Sequence, residues 1–252
     1  MKRSCAVLAL TFLVVAIIGN HQTLFAKEVG FQSGSISLKG YIVTTRDNGP
    51  LPVVIFMHGG RGSRVGGDPK GIVEAIAKAG FIGFAWIRSQ DSSLAGNIQE
   101  TIIAIDYVKN LKNVDVERLA VIGFSRGGLL AFMASTRRRD LKAIVLMAPA
   151  HGQGALRRFL AGADDVTAAT LILVAKNDTR QADHVAISQQ INTTLKDAGK
   201  ETRLIVYPSY GRDGHQLFFK VRQTYWRDVE KFLKSRLDGQ AGRKEIAAGS
   251  KH

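Results

Sequence analysis

Short apolar runs that alternate with stretches of helical periodicity constrain this 252-residue chain more than any other feature. A continuous apolar run bounded by turn residues is typical of a strand that is buried on both faces. Such runs occupy residues 52–57, 81–87, 119–123, 143–147, 171–175 and 202–207. Their alternation with helical patterns predicts an α/β fold, with a mostly parallel central sheet flanked by helices.

Between these runs, apolar residues recur at the spacing of one helix face. They are Ile72, Ile76 and Ala77; Ile98, Ile102, Ile105 and Val108; Leu129, Phe132 and Met133; and Ile187, Ile191 and Leu195. We predict a hairpin or edge strands over 33–45 and a last helix over 218–237. One domain is therefore expected over 27–238, followed by a disordered tail over 239–252, because the tail lacks apolar periodicity.

The first 26 residues have the pattern of a signal peptide. Lys2 and Arg3 precede an uncharged apolar run over 5–18, which is shorter than a membrane-spanning helix requires. We predict cleavage after Ala26 and a periplasmic or secreted mature protein without a stable membrane anchor. Retention of this segment as an anchor is the alternative.

The composition excludes several chemistries. The only cysteine, Cys5, lies in the segment predicted to be removed, so the mature protein would have neither a thiol nucleophile nor a cysteine-bound metal. The net charge of +14 indicates a solvated basic surface or attraction to an anionic surface or substrate. Basic and aromatic residues are not interleaved in a nucleic-acid-binding pattern, so nucleic acid is not an expected partner.

A G-x-S-x-G motif at 123–127 is the strongest chemical signal. It directly follows the apolar run 119–123 and directly precedes a helical pattern, which is the context that such a motif requires. The sharp turn from strand to helix strains the serine backbone, and glycines on either side let helix and strand pass closely. We therefore predict Ser125 as a nucleophile, with the N-terminus of the helix directed at a developing oxyanion.

A serine nucleophile needs a base, and the base needs an orienting group. Asp178 follows the run 171–175 and His215 follows the run 202–207, so both are expected at the carboxyl edge of the sheet beside Ser125. We predict His215 as the base and Asp178 as the acid. The rivals are His58 for the base and Asp183, inside a predicted helix, for the acid.

Ser125 in its motif, His58-Gly59-Gly60 after an early strand, and the chain order Ser125, Asp178, His215 resemble an α/β-hydrolase. The resemblance spans about 29–237, and the Gly-His-x-Leu-Phe-like ending at 214–218 is similar to that of the dienelactone-hydrolase-like and prolyl-oligopeptidase-catalytic-domain-like branch. Dienelactone hydrolases proper use cysteine as the nucleophile, so the resemblance does not imply lactone specificity.

The resemblance also implies an oxyanion hole. One donor would be the backbone N–H of Arg126, and the other would come from Gly59 or Gly60, where the lack of a Cβ lets substrate approach. Candidate pocket residues are Trp86, Phe124, His151 and Phe218. The histidines have no metal-ligand spacing along the chain, so no metal is predicted, and no cofactor is implied.

These observations predict an exported serine hydrolase that cleaves small carboxylic esters through an acyl-enzyme. The alternatives are a peptidase of the oligopeptidase type and a hydrolase-fold binding protein without turnover. Only one short helix, near 155–160, fits between the apolar runs 143–147 and 171–175. No large cap domain is expected, and the oligomeric state is not predicted.

Overall fold

An eight-stranded, mostly parallel sheet organises the structure, a computed structural model that describes residues 23–45, 49–61, 64–89 and 93–238. The strands are β1 (Phe25–Ser33), β2 (Ile36–Thr44), β3 (Leu51–Met57), β4 (Gly59–Arg61), β5 (Arg64–Gly66), β6 (Ile82–Ile87), β7 (Val114–Phe124), β8 (Leu141–Met147), β9 (Ala169–Ala175) and β10 (Thr202–Tyr207). The sheet order is β1-β2-β6-β3-β7-β8-β9-β10, while β4 and β5 pair separately. The strands β1 and β2 are antiparallel additions to six parallel strands. The predicted α/β class is confirmed.

Helices cover both faces of the sheet. They are α1 (Pro69–Lys78), α2 (Leu94–Lys109), α3 (Arg126–Ser135), α4 (Ala155–Leu160), α5 (His184–Asp197) and α6 (Gln223–Leu237), with 3₁₀ turns at Ala163–Asp165 and Gly214–Phe218. Alternate side chains of β3 enter two different hydrophobic clusters. Val53 and Ile55 pack with apolar residues of α2, α3 and α5, whereas Val54 and Phe56 pack with those of α1 and α6. This two-sided burial explains why the central strands are continuously apolar in sequence.

Three elements differ from the sequence-based predictions. The hairpin predicted over 33–45 begins earlier in the structure, because β1 precedes β2. Most of β1 is exposed at the sheet edge, so its sequence lacks the apolar alternation that would have predicted it. The helix predicted over 218–237 is divided into a 3₁₀ turn that ends at Phe218 and the helix α6. The β4–β5 hairpin was not predicted, since its strands are only three residues long.

Short loops leave the carboxyl ends of the parallel strands at one edge of the sheet. Between β8 and β9, where every residue is described, the chain forms only α4 and one 3₁₀ turn, so no large cap covers this edge. The helices described in the structure include none that is long and apolar enough to cross a membrane. Residues 1–22 of the predicted signal peptide, and the predicted tail 239–252, lie outside the described residues.

Candidate active site

Ser125 lies in the tight turn between β7 and α3. Its φ of 53° and ψ of −115° belong to a region that residues other than glycine rarely adopt, so the backbone is strained. A Cβ on Gly127 would lie 2.0 Å from the carbonyl oxygen of Met57, and a Cβ on Gly123 would lie 2.2 Å from the carbonyl oxygen of Gly127. Glycine is required at both positions because helix and sheet pass so closely.

His215 and Asp178 form a buried hydrogen-bonded pair. The Nδ1 atom of His215 lies 2.9 Å from Oδ2 and 3.1 Å from Oδ1 of Asp178. Both side chains are almost fully buried, with relative exposures of 4% and 1%. An ionised carboxylate can only accept, so Nδ1 carries the proton and Nε2 keeps a free lone pair. This is the tautomer that a general base for serine needs.

Asn177 connects the loops that carry this pair. Its Nδ2 donates to the carbonyl oxygens of Tyr210 (3.3 Å) and Gly211 (3.2 Å), and its Oδ1 accepts from the N–H of Tyr210 at 2.8 Å. The loop of Asp178 is thereby fixed to the loop that leads to His215. The sequence analysis missed Asn177, for which the only signal is its place beside Asp178 after a buried strand.

Ser125 and the His215–Asp178 pair follow the carboxyl ends of parallel strands and so lie at the same edge of the sheet. The ring of Phe124, the residue before Ser125, lies 4.7 Å from the ring of His215, centroid to centroid. Within the described ranges the Ser125 hydroxyl makes no hydrogen bond. Catalytic hydrogen bonds are often long in a free enzyme and shorten when substrate binds. The His215–Asp178 contact is already formed, and Ser125 lies one residue from the Phe124 ring that packs on His215.

A second histidine lies against this pair. The ring of His184 is 4.5 Å from that of His215, centroid to centroid, and its Nε2 is 4.0 Å from Oδ1 of Asp178. Its Nδ1 lies 3.1 Å from the carbonyl oxygen of Pro149. Burial lowers the pKa of His184, so the ring is neutral at neutral pH. His184 is the first residue of α5, and the sequence alone does not show its proximity to His215.

Arg88, at the end of β6, holds the loop that follows β3. Its buried guanidinium donates to the carbonyl oxygens of His58 and Gly60, each at 2.6 Å. Burial lowers the pKa of Arg88 to about 9, so the group is still charged at neutral pH. In a trans peptide the N–H points away from the preceding C=O, so the N–H of Gly59 is directed away from Arg88. The sequence analysis missed Arg88, whose signal is a charged residue directly after a buried strand.

The predicted oxyanion donors lie beside the serine. A Cβ on Gly59 would be 3.2 Å from the Cβ of Ser125. Arg126 is the first residue of α3, so its backbone N–H belongs to the positive end of the helix dipole. Gly60 lies one residue further along the loop, and its φ is 64°. The backbone of the β4 segment and the first residue of α3 therefore both lie beside Ser125.

His58 and Asp183, the alternatives for the base and the acid, both make structural contacts instead. The Nδ1 of His58 lies 2.7 Å from the carbonyl oxygen of Gly59, and its Nε2 accepts from the backbone N–H of Arg88 at 3.1 Å. Burial lowers the pKa of His58 to about 3, so it is a neutral ring that shapes the loop. Asp183 is exposed and caps α5 by accepting from the N–H of Ala186 at 2.9 Å.

A cavity of about 460 Å³ opens beside Ser125. Its walls are mostly polar and include Ser93, Arg126, His151, Gln153 and Gln181, together with His184. The Nε of Arg126 donates to Oδ1 of the buried Asn97 at 2.9 Å. The cavity therefore has room for a small, polar molecule next to Ser125.

The four predicted pocket residues fall into two groups. His151 lines the cavity, and its Nδ1 accepts from the N–H of Gln153 at 3.0 Å. Trp86, Phe124 and Phe218 are instead buried in the core and do not line this cavity. Phe124 and Phe218 support the site from behind, since Phe124 packs on His215 and Phe218 packs on Phe124. The three aromatic side chains are apolar and are buried in the core, whereas the polar His151 remains exposed at the cavity.

One group of described side chains has the composition of a metal site. Asp178, His184 and His215 each offer a ligand atom, and these atoms lie within 4.8 Å of one another. Spacing along the sequence predicted no metal, because these residues belong to three separate segments that only the fold brings together.

Comparison with protein families and with solved structures gives consistent results. A family model described as "Dienelactone hydrolase family" matches residues 85–234. No match was found among curated proteins.

Solved structures share the α/β-hydrolase fold that the sequence predicts. An acylaminoacyl peptidase from Pyrococcus horikoshii is 20% identical with a TM-score of 0.70, over 86% of this chain and 42% of its own. A fungal esterase from Rhizomucor miehei is 20% identical with a TM-score of 0.68, over 86% and 85%. A putative dienelactone hydrolase from Klebsiella pneumoniae is 17% identical with a TM-score of 0.64, over 86% and 99%. This chain thus spans less than half the length of the peptidase.

Proposed function

Because the chain belongs to the dienelactone hydrolase family, we propose that it is a serine hydrolase that cleaves small carboxylic esters. The observation that carries the proposal is the buried His215–Asp178 hydrogen bond at the sheet edge where Ser125 occupies a strained turn. Loss of turnover in this fold usually accompanies loss of a triad residue, whereas all three residues are present here.

The proposed mechanism is acyl transfer in two steps. The Ser125 hydroxyl attacks the ester carbonyl while His215 Nε2 takes its proton, and Asp178 stabilises the resulting imidazolium. The N–H of Arg126, together with that of Gly59 or Gly60, stabilises the oxyanion. His215 then protonates the departing alcohol, leaving an acyl-serine. Water attacks this ester with His215 again as the base, which releases the acid and restores Ser125.

Peptide hydrolysis is the second candidate, supported by the structural likeness to the acylaminoacyl peptidase. The same triad could cleave an amide. The present chain corresponds to only 42% of that peptidase, so the peptidase's activity is not carried over as a whole. Parallel assays on p-nitrophenyl esters and on peptide p-nitroanilides distinguish the two functions.

The test of the proposed function is the Ser125→Ala variant. We expect wild-type protein to hydrolyse short p-nitrophenyl esters and the variant to lose this activity by several orders of magnitude, because no nucleophile is left. Circular dichroism should show an unchanged fold. Wild-type turnover in the variant would refute the role of Ser125.

We also propose export to the periplasm or the outside of the cell, on the basis of the pattern over 1–26. The strand β1 begins at Phe25, two residues before the proposed first residue of the mature protein, Lys27. N-terminal sequencing of exported protein should find a start near Lys27. A chain that keeps Met1 in the membrane fraction would contradict cleavage.

A further inference from the structure

The ring of His184 has one nitrogen engaged and one without a partner. Its Nδ1 donates to the carbonyl oxygen of Pro149 at 3.1 Å, because a carbonyl oxygen can only accept. Nε2 therefore has no proton and carries a lone pair that can accept a hydrogen bond or bind a metal. It is buried, and among the described residues it has no hydrogen-bond partner. Buried polar atoms without a partner are uncommon and call for an explanation.

This arrangement is the one in which histidine binds a metal. A metal-ligating histidine usually donates its second ring nitrogen to a backbone carbonyl or a carboxylate, which fixes the tautomer and the ring orientation. In His184 the carbonyl oxygen of Pro149 is the acceptor for the second ring nitrogen, Nδ1. The other nitrogen, Nε2, lies 4.0 Å from Oδ1 of Asp178. An ion between these two atoms would satisfy the lone pair.

His215 completes the set of ligands. Ligand atoms of Asp178, His184 and His215 lie within 4.8 Å of one another, so small side-chain movements bring all three to coordination distance. Two imidazoles and one carboxylate suit Zn²⁺, which commonly takes three protein ligands and leaves the fourth position to water. Mg²⁺ prefers oxygen ligands and retains its waters. His184 also lines the cavity beside Ser125, which provides a route for the ion.

We propose that Asp178, His184 and His215 form a binding site for Zn²⁺ or a similar divalent transition-metal ion, and that occupation of this site inhibits the enzyme. The ion would bind one of the two ring nitrogens of His215, either Nδ1, which contacts Asp178, or Nε2, which is the proposed proton acceptor for Ser125. In both cases His215 can no longer act as the base for Ser125. Metal binding stands independently of the proposed ester hydrolysis, whereas inhibition rests on it.

The experiment compares wild-type protein with His184→Gln in metal-free buffer. Glutamine can still donate to the Pro149 carbonyl but is a poor zinc ligand. We expect Zn²⁺ to inhibit hydrolysis of p-nitrophenyl acetate by the wild type, EDTA to reverse this, and Mg²⁺ to have no effect. Loss of even an outer-shell partner costs about 10–100-fold in metal affinity, so His184→Gln should raise the inhibitory Zn²⁺ concentration at least tenfold. Each protein is referred to its own metal-free rate.

His151→Gln is the matched control, since His151 lines the same cavity but is exposed and is not one of the three ligands. It should leave the inhibitory concentration unchanged. Equal inhibition of wild type and His184→Gln would overturn the proposal, and so would a shift in His151→Gln as large as that in His184→Gln. His184→Asn serves in the same comparison if the glutamine variant does not fold.

Direct binding separates this proposal from the proposed function. Co²⁺ in a site with nitrogen and oxygen ligands absorbs visible light, so titration of the protein with Co²⁺ reports occupation without any substrate. We expect one Co²⁺ per wild-type molecule and at least tenfold weaker binding to His184→Gln. A wild type that binds Co²⁺ but hydrolyses no ester would refute only the hydrolase function. A wild type that does not bind Co²⁺ or Zn²⁺ would refute the metal site.

Discussion

At the scale of single residues, the site depends on close approaches that only glycine permits. The carbonyl oxygen of Met57 occupies the space where a Cβ on Gly127 would be, at 2.0 Å. Because Gly127 has no Cβ, α3 can lie this close to the sheet. The close packing of α3 and sheet holds the strained backbone of Ser125 in its turn. The surrounding packing therefore stabilises a conformation that the serine would not adopt alone.

Replacement of Gly127 by alanine should destabilise the protein. The added methyl group would collide with backbone, which cannot rotate away as a side chain can, so we expect a loss of about 2 kcal/mol or more in the free energy of unfolding. Gly30→Ala is the control, because a Cβ there would meet nothing closer than 3.9 Å, and it should not lower stability, since alanine is favoured over glycine inside a strand. Urea denaturation measures both. Equal stability of the two variants would contradict this account.

The sequence was enough to nominate candidate catalytic residues, but it did not reveal the residues that hold their loops in place. Ser125 has a local motif, and Asp178 and His215 each follow a buried strand. Arg88, by contrast, acts on His58 and Gly60, which precede it by 30 and 28 residues. Such contacts depend on which strands are neighbours in the sheet, and one sequence does not give that order. For the same reason the proximity of His184 to His215 appears only in the fold.

At the scale of elements, we expect the short segment between β8 and β9 to influence which substrates fit. The sequence predicts one short helix near 155–160, and α4 occupies Ala155–Leu160. A helix of six residues can form part of the rim of the site but cannot cover it as a cap does. The cavity beside Ser125 is only about 460 Å³ and mostly polar. Long acyl chains therefore find little apolar surface in which to be buried.

The dependence of kcat/KM on acyl length should show this limit. Each buried methylene contributes about 0.8 kcal/mol, so an apolar groove would give an affinity that rises steadily with chain length. We instead expect p-nitrophenyl esters to be cleaved best from acetyl to butyryl and more slowly by octanoyl. The same series with Ser125→Ala corrects for uncatalysed hydrolysis. An optimum at decanoyl or beyond would contradict the interpretation of α4 and the cavity.

At the scale of the whole molecule, a charged network connects the end of α2 to the segment before β8. Arg138 contacts Asp140 (2.6 Å) and Asp106 (2.7 Å), and Lys109 contacts Asp140 at 2.7 Å. The hydrogen bond from Arg138 and the contact with Lys109 lower the pKa of Asp140 well below its ordinary 3.8. The carboxylate form is therefore favoured by folding.

Asp140→Asn should lower stability in a pH-dependent way. A lowered carboxyl pKa contributes stability that is fully present above the unfolded value of 3.8 and is lost as the pH falls towards the folded value. We expect a loss of about 1 kcal/mol at pH 7 that shrinks progressively as the pH falls below the unfolded value of 3.8 towards the much lower folded value. Asp164→Asn, at an exposed carboxylate outside the ion pairs of the described ranges, is the control. A deficit that persists unchanged at low pH would contradict this electrostatic origin.

The architecture of the whole molecule was largely predictable, and the edge of the sheet was not. The central strands are buried on both faces, and this requirement makes their sequences continuously apolar. The edge strand β1 has mostly exposed side chains, so its partner β2 was recognised while β1 was not. Every residue of β1, from Phe25 to Ser33, is paired with β2 through the backbone. This pairing holds β1 in place without an apolar pattern.

The central claim, that Ser125 is an activated nucleophile, is tested most directly by covalent labelling with a fluorophosphonate. Such a reagent reacts with a serine that a neighbouring base activates, whatever the natural substrate. We predict a single adduct on wild-type protein, located on Ser125 by peptide mass spectrometry, no adduct on Ser125→Ala, and much slower labelling of His215→Ala. An unlabelled wild type, or an adduct that persists in Ser125→Ala, would contradict the account.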